Sequence, residues 1–587
     1  MLNTSLIVLH RVASWVGFLI FVASVANASA EQVTVRYRVE CHPTSASPHW
    51  QINVTVSGLD PKHRDVEMLL EDWGSWSDVD SYYLTGLESR PVVNRSARKP
   101  ERFEFDYPAD WDGTIQLTYH IALSRLGSRA FDEHHLLPVL ANTYSFGYAV
   151  NTLVRLVRGD ENMAVARTIE LVAPTGWQVV TGWGGLGDRR QTVQLGAAVG
   201  SENAIIVFGK PSNVRETAVK PRCEVFQFGE AGDITESVLD IVRKLIPLYG
   251  RNTGRVFDRP VRAFIVDTYS GGTHTMYGLR IGFDGSKSPK TMSPYFTQLI
   301  AHELFHIWLG GYLQPADDSL VWFFEGFTDY LSLWHAATAG LISKEWFAQR
   351  ITELDDRAQA SKSYGRIAFA DPDVKWRDGD GPNETLAYKG GALLAFCMDA
   401  RLRKAGHAGL LDMIRDFIAS DDKTYSQETI RAWMQSHDLG NFYDRHVSGS
   451  QRMDVHEALV SFGYALDEKK VPLTYLGIRA DRDDLVATVL ELDPQGPAAT
   501  AGIQVGDRIG GYFPTRPSRP DIDQSVDTKF RFGLNKFEPE TEGSFIDVLR
   551  GQKTLQVNVE PKQISGGRIR SYRADKPNFN GCFECRL

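Results

Sequence analysis

The stretch "LIAHELFHIW", residues 299–308, is an apolar run interrupted by His302, Glu303 and His306. Leu299, Ile300, Leu304, Phe305 and Trp308 give it the apolar density of a buried helix. Positions i and i+4 of a helix share one face, a turn apart, so His302 and His306 point the same way and are placed to bind one metal ion. Glu303 is rotated by roughly 100° from His302, close enough to reach a water at that ion without being a ligand. Burying two imidazoles without partners costs free energy, and a bound cation offsets that cost. His-Glu-x-x-His is the pattern of a zinc-binding helix that carries its own general base.

A hydrolytic zinc site takes three protein ligands and keeps a fourth position open. The next candidate ligand lies in "WFFEGFTDYL", residues 322–331, where Glu325 follows His306 after 18 intervening residues and is embedded among apolar neighbours. One Zn2+ per chain is therefore expected on His302, His306 and Glu325. Asp329, four residues past Glu325, shares its helical face and is the expected acceptor of the second N–H of one ligand histidine. The adjacent histidines of "DEHH", residues 132–135, point in different directions, lack zinc spacing and read as a surface loop.

Outward from this centre the hydrophobic period changes twice. "VTVRYRVE" (33–40), "WQINVTV" (50–56) and "IQLTYHIAL" (115–123) alternate with period two, so residues 31–215 read as an antiparallel β domain. "DITESVLDIVRKLIPLYG" (233–250) shifts to a helical period, and residues 216–465 read as a mainly helical domain with one short strand, "VRAFIVD" (261–267). Strand patterns return at "LVATVLEL" (485–492) and in the hairpin "FIDVLRGQKTLQVNV" (545–559), giving a β domain over 466–562. The polar, glycine-containing segment 563–587 reads as a mobile tail.

The chain has 587 residues, too long for one domain, and 43% hydrophobic residues, enough for packed cores. A formal net charge of −9 argues against nucleic acid as a partner. Residues 1–30 read as a signal peptide: Arg11 supplies the positive charge, Val12–Val25 the apolar run, and Ala28-Ser29-Ala30 the cleavage site. The run is shorter than a membrane span, so the expectation is an exported protein, periplasmic or secreted, with no stable span after cleavage. Cys397 sits in an apolar helical pattern and is expected to be a free buried thiol. Cys41, Cys223, Cys582 and Cys585 allow three pairings, among which sequence does not choose, and the Cys-x-x-Cys of the terminal "GCFECRL" reads as disulfide cysteines rather than a redox motif or half a zinc site.

These residues resemble the gluzincin metallopeptidases, and the segment 321–330 around Glu325 is similar to that of the glycyl aminopeptidase family within them. A second match is "AYKGGALLAFCMDARLR", residues 387–403, which resembles the Tyr-Glu-Lys-Gly-Ala-Leu segment of such enzymes and puts Tyr388 on the position of the tyrosine that assists catalysis. The third is C-terminal: "YLGI" (475–478) resembles the carboxylate-binding loop of PDZ domains, and "GPAATAGIQVGDRI" (496–509) the helix and Gly-Asp turn of bacterial PDZ modules. The resemblance implies a multidomain α+β chain with an N-terminal antiparallel β domain, a thermolysin-like catalytic domain and a C-terminal PDZ-like β domain. Two segments depart from the family pattern. Gly-Gly-x-Glu-His appears here as "GGTHT", Gly271 to Thr275, without the glutamate, and the Trp-Asn after the zinc helix appears as Trp308-Leu309.

The resemblance implies peptide-bond hydrolysis of peptides or proteins, with Glu303 as general base and Tyr388 stabilising the oxyanion. Gly271, Gly272 and His274 are then the expected substrate-binding strand. Leu476, Gly477 and Ile478 are the expected loop for a C-terminal peptide ligand. Aminopeptidase action is the first expectation. Loss of the amine-anchoring glutamate opens endopeptidase action as the alternative, unless another acid such as Glu384 compensates. A peptide-binding scaffold with a vestigial metal site is the reading from a different class.

Overall fold

The computed structural model describes residues 33–574 except 71–83, 97–98, 126–137, 159–160, 164, 197–203, 218–220, 230–231, 258, 268–270, 276, 283–292, 362, 373, 375–384, 421, 476–477, 483–486, 515–543, 552 and 560–561. The expected signal peptide, "DEHH", Glu384, Leu476, Gly477, Cys582 and Cys585 lie outside the described residues.

The period-two segments form strands. In Thr34–His42, Val35, Tyr37, Val39 and Cys41 are buried while Arg36 faces water. Alternation of this kind comes from the pleat, which sends successive side chains to opposite faces. The first sheet runs in the order Arg190–Leu195, Ala166–Val172, Thr34–His42, His49–Ser57, Ile115–Ala122, Leu84–Arg90. It is mixed rather than antiparallel throughout, because Thr34–His42 pairs parallel with Ala166–Val172. A second sheet includes Gln178–Thr181, Ile205–Gly209 and Tyr144–Tyr148. The two share a core in which Trp50 donates its indole N–H to Ser145 Oγ at 2.9 Å.

The expected boundary at residue 215 falls inside a strand. Asn213–Glu216 begins a sheet ordered Asn213–Glu216, Cys223–Gln227, Val261–Val266, Gly278–Gly282, Gly271–Thr275. Sequence periodicity found only Val261–Val266 in this region. The hairpin Gly271–Thr275/Gly278–Gly282 is built largely from glycine, threonine and histidine and carries little strand signal. It pairs antiparallel and leaves Gly271–Thr275 at the sheet edge.

Five helices position the site: α1 (Thr235–Thr253), α2 (Pro294–Phe305), α3 (Val321–Thr338), α4 (Lys344–Ala360) and α5 (Gly391–Lys404). Ser293 caps α2 by accepting from the Phe296 N–H, and Pro294 occupies its first turn, where a missing N–H costs nothing. Helices α3 and α5 approach unusually closely because both contact points are glycine. A Cβ on Gly326 would lie 2.4 Å from the Gly391 Cα, and one on Gly391 would lie 2.3 Å from the Trp322 carbonyl oxygen.

The C-terminal region begins with a two-stranded ribbon, Tyr464–Tyr475 paired antiparallel with Lys562–Ala574. Residues 562–574 are therefore a strand, not the start of a mobile tail. Their partner lies about a hundred residues earlier in the chain, a pairing that local pattern cannot reveal. The ribbon is tied to the helical region by the Tyr464 hydroxyl, which donates to the Lys344 carbonyl at 2.8 Å. Beyond it lies a five-stranded sheet, Ile478–Arg482, Ala487–Leu492, Arg508–Pro514, Ser544–Arg550, Lys553–Val559, with a short helix Pro497–Thr500. Its small core contains Val489, Ala498, Ile503, Ile509, Val548 and Val559. The Gly506-Asp507 turn is locked by Arg550, which donates to both Asp507 carboxylate oxygens at 2.8 Å.

Cys41, Cys223 and Cys397 are all buried and unbridged. Cys397 is as expected, whereas Cys41 and Cys223 leave the pairing pool. Burial pushes the Cys41 thiol up to about 12.

The α3–α5 contact gives a stability test. Gly326→Ala forces the helices apart, and overpacking of this kind costs about 1–3 kcal/mol. A lowered calorimetric unfolding temperature is expected; an unchanged one would show that the helices separate freely.

Candidate metal centre and active site

His302 lies in the last turn of α2, and His306 caps its C-terminus with backbone angles still helical. The i, i+4 relation therefore survives to the end of the helix. The two Nε2 atoms are 3.0 Å apart, and the Glu325 Oε2 from α3 lies 3.1 Å and 3.5 Å from them. A tetrahedral ion with bonds of ~2.0–2.1 Å separates its ligand atoms by roughly 3.3 Å. All three residues are buried, and the Glu325 Oε2 is a buried oxygen with no hydrogen-bond donor. Among the described residues this is the group able to hold a metal ion.

The outer nitrogens fix the tautomers. The His302 Nδ1 is 2.8 Å from Asp329 Oδ1, and the His306 Nδ1 is 3.0 Å from the Leu309 carbonyl oxygen. Each Nδ1 faces an acceptor and so carries the proton, which leaves both Nε2 lone pairs aimed inward. Asp329 is thus brought to His302 as its spacing implied. The Leu309 carbonyl was invisible to sequence reading, because a backbone acceptor has no residue-type signal.

Burial opposes charge on His302, but Asp329 and Glu325 outweigh it and hold its proton affinity well above the usual imidazole value. Burial likewise opposes ionisation of Glu325, and His306 and His302 overcome it, keeping the carboxyl ionised far below its usual range. The field that favours a proton at His302 Nε2 equally favours a divalent cation there, and the two compete.

Glu303 stands outside the ligand set and faces the edge strand. A Cβ on Gly272 would lie 2.3 Å from the Glu303 Cγ and 2.5 Å from its Oε1, so only glycine permits this approach. His274, two residues along on the same strand face, stacks on His306 with ring centroids 4.1 Å apart. Its Nδ1 lies 3.7 Å from Glu303 Oε2. Gly271 pairs with Gly282 at the far end of the strand. Tyr388 sits on a single π-helical turn, Leu386–Gly390, that leads into α5. Its ring lies nearly parallel to that of His302, 19° between planes and 6.4 Å between centroids. Single π turns of this kind widen a helix locally and redirect a side chain.

Phe324, Gly326 and Gly391 complete the site without having been singled out in the sequence. Phe324 stacks on His306 at 4.5 Å, and the glycine pair sets the distance between Glu325 and the Tyr388 turn. A glycine inside the helical run "FFEGFTDYL" was a readable signal, since glycine in a helix interior needs a packing reason.

Gly272→Ala is expected to lower kcat by about 10- to 100-fold, because a displacement near 1 Å at a reacting group costs that much. Bound metal should be unchanged, as read by elemental analysis alongside the kinetics.

The family model of the M61 glycyl aminopeptidase matches residues 295–371, a segment that spans α2, the ligand Glu325 and α3. Comparison with curated proteins gives no match. Among solved structures, an aminopeptidase N family protein from Idiomarina loihiensis aligns with a TM-score of 0.70 at 15% identity, covering 94% of this chain and 100% of that one. An M1 zinc metallopeptidase from Deinococcus radiodurans aligns with a TM-score of 0.46 at 13% identity, covering 70% of this chain and 91% of that one. The first likeness shows a shared fold over nearly the whole chain. With the family match lying across the His-Glu-x-x-His helix and the candidate third ligand, the chain is a peptidase that over residues 295–371 is similar to the M61 glycyl aminopeptidase family.

Proposed function

We propose that this chain is an exported, zinc-dependent, aminopeptidase-like enzyme that hydrolyses peptide bonds. The observation that carries the reading is the convergence of two imidazole nitrogens and one carboxylate oxygen at 3.0–3.5 Å, with a separate carboxylate, Glu303, beside them. Zinc suits this set of two neutral imidazoles and one carboxylate, and when bound it supplies a Lewis acid and lowers the pKa of a water toward ~7.

The chain's own residues then do the following. His302, His306 and Glu325 hold the ion, and Asp329 and the Leu309 carbonyl keep both imidazoles in the ligating tautomer. The edge strand Gly271–Thr275 pairs with an extended substrate backbone. Glu303 takes the proton from the attacking water and returns it to the leaving amine. Tyr388 donates its hydroxyl proton to the oxygen that gains charge at the carbonyl carbon. A donor used only at that stage is worth roughly 3–4 kcal/mol. In the C-terminal unit, the segment Leu476, Gly477 and Ile478 is proposed to meet the carboxylate of a bound peptide terminus. The sheet there, with Ile478 opening its first strand against the small core, supports that reading.

Glu303→Ala should abolish turnover while leaving one zinc per chain, and Tyr388→Phe should lower kcat far more than it raises KM. Near-wild-type activity in Glu303→Ala would sink the mechanism, and a pure KM effect at Tyr388 would reduce that residue to substrate binding.

A second reading, endopeptidase action, is favoured by His274. An imidazole stands where the family pattern has the amine-anchoring glutamate, and burial together with His306 holds its pKa down to about 4. It is therefore neutral at pH 7 and offers no charge to a substrate ammonium. Losing one partner of such a pair costs about 2–5 kcal/mol. Gly- and Ala-initiated peptides and their N-acetylated forms should then differ little in kcat/KM. A preference for the free amine above roughly a hundredfold, about 2.7 kcal/mol, would place an anchor elsewhere and restore plain aminopeptidase action.

A further inference from the structure

The edge strand contributes more to the site than a rail for substrate. Gly272 and His274 are two residues apart and so share the face turned to α2. On that face Gly272 admits the Glu303 side chain, with no room for a Cβ between them. His274 then lies across the same carboxylate, its Nδ1 3.7 Å from Oε2. The ring is itself held in place: it stacks on His306 at 4.1 Å and 22°, and lies 6.0 Å from the ring of Phe324. Only 22% of the side chain is exposed. A rigid ring with one nitrogen turned to a carboxylate is suited to orienting that carboxylate, and contacts of this kind commonly tighten once substrate is bound.

We propose that His274 is a positioning residue for Glu303: its Nδ1–H holds the Glu303 Oε2, so that the other carboxylate oxygen faces the water to be deprotonated. The proposal rests on Glu303 being the general base. Glu303 would otherwise turn freely about its terminal bond, because a carboxylate torsion is broad and two-fold. Gly272 limits where the chain of Glu303 lies, and His274 limits how its carboxylate is rotated. Strand and helix are thus coupled through one side chain, and a substrate that docks along Gly271–Thr275 meets a base already aligned.

The test uses two replacements of different kind in the full chain. His274→Phe keeps a ring over His306 but removes the N–H. His274→Asn places an amide N–H near the position of Nδ1. With an alanine-initiated peptide as substrate, His274→Phe should lower kcat by about 10- to 100-fold. KM should stay within about twofold and zinc at one per chain, while His274→Asn should recover most of the loss. A kcat for His274→Phe within twofold of the parent overturns the proposal. So does a His274→Asn variant as impaired as His274→Phe, which would show that the ring matters and the N–H does not. Loss of zinc in His274→Phe overturns it as well, assigning His274 to the metal ligands instead. Full activity in Glu303→Ala alone would instead strike at the base assignment, an outcome distinct from any failure of His274.

Discussion

Two imidazole nitrogens and a carboxylate oxygen meet 3.0–3.5 Å apart inside a helical core, and the carboxylate oxygen has no hydrogen-bond donor. Unless a proton or a cation lies between them, lone pairs forced together in a low-dielectric interior repel, and desolvation adds to the cost. A divalent cation turns the same arrangement from a penalty into a binding site. The surrounding structure holds the three groups in that arrangement. Asp329 and the Leu309 carbonyl each take one outward N–H, so neither imidazole can turn its lone pair away without leaving an acceptor unpaired.

Rigidity in the helices that carry these three groups comes from contacts away from the site. The glycines at 326 and 391 let α3 and α5 touch backbone to backbone. A buried carboxylate then binds the two helices together: Asp399 on α5 accepts from the Tyr330 hydroxyl of α3 at 2.5 Å, from Arg403 Nε at 2.8 Å, and from the Leu410 N–H at 2.6 Å. A buried charge with three donors is satisfied, whereas one stripped of partners is strongly destabilising. The candidate ligand Glu325 and the Tyr388 turn are thus carried on one packed unit, as a preorganised site requires.

The N-terminal β region reaches the site through its turns rather than through its own chemistry. Arg262, in the strand beside the hairpin Gly271–Thr275/Gly278–Gly282, pairs with Glu224 at 2.5 Å and donates to the Gly182 carbonyl at 2.7 Å. The neighbouring Trp183 meets Tyr277 edge to face at 6.5 Å, and Tyr277 lies in the loop that joins the two hairpin strands. The turn around residues 181–185 therefore braces the hairpin whose outer strand carries Gly272 and His274. The outer hairpin strand, Gly271–Thr275, has no large apolar side chain, and packing from outside supplies what its sequence lacks.

By itself the sequence pointed to His302, His306 and Glu325 as a group able to hold a metal ion, to Glu303 beside them, and to the broad order of β, helical and β regions. Each of these is a short-range property: an i, i+4 pair on one helical face, a glutamate in an apolar run, a period of two or 3.6. It also gave Asp329 through its spacing from Glu325. Tertiary structure alone decided what depends on long-range proximity. That includes the Leu309 carbonyl on His306, the Gly326–Gly391 contact, and the placing of His274 against Glu303. The parallel pairing of Thr34–His42 with Ala166–Val172 and the strand at Lys562–Ala574 belong there too. In each case one partner is a backbone atom, a glycine or a segment distant in the chain. Apart from Gly326, whose place inside a helical run asks for a packing reason, none of these carries a side-chain pattern that could announce the contact before the chain has folded.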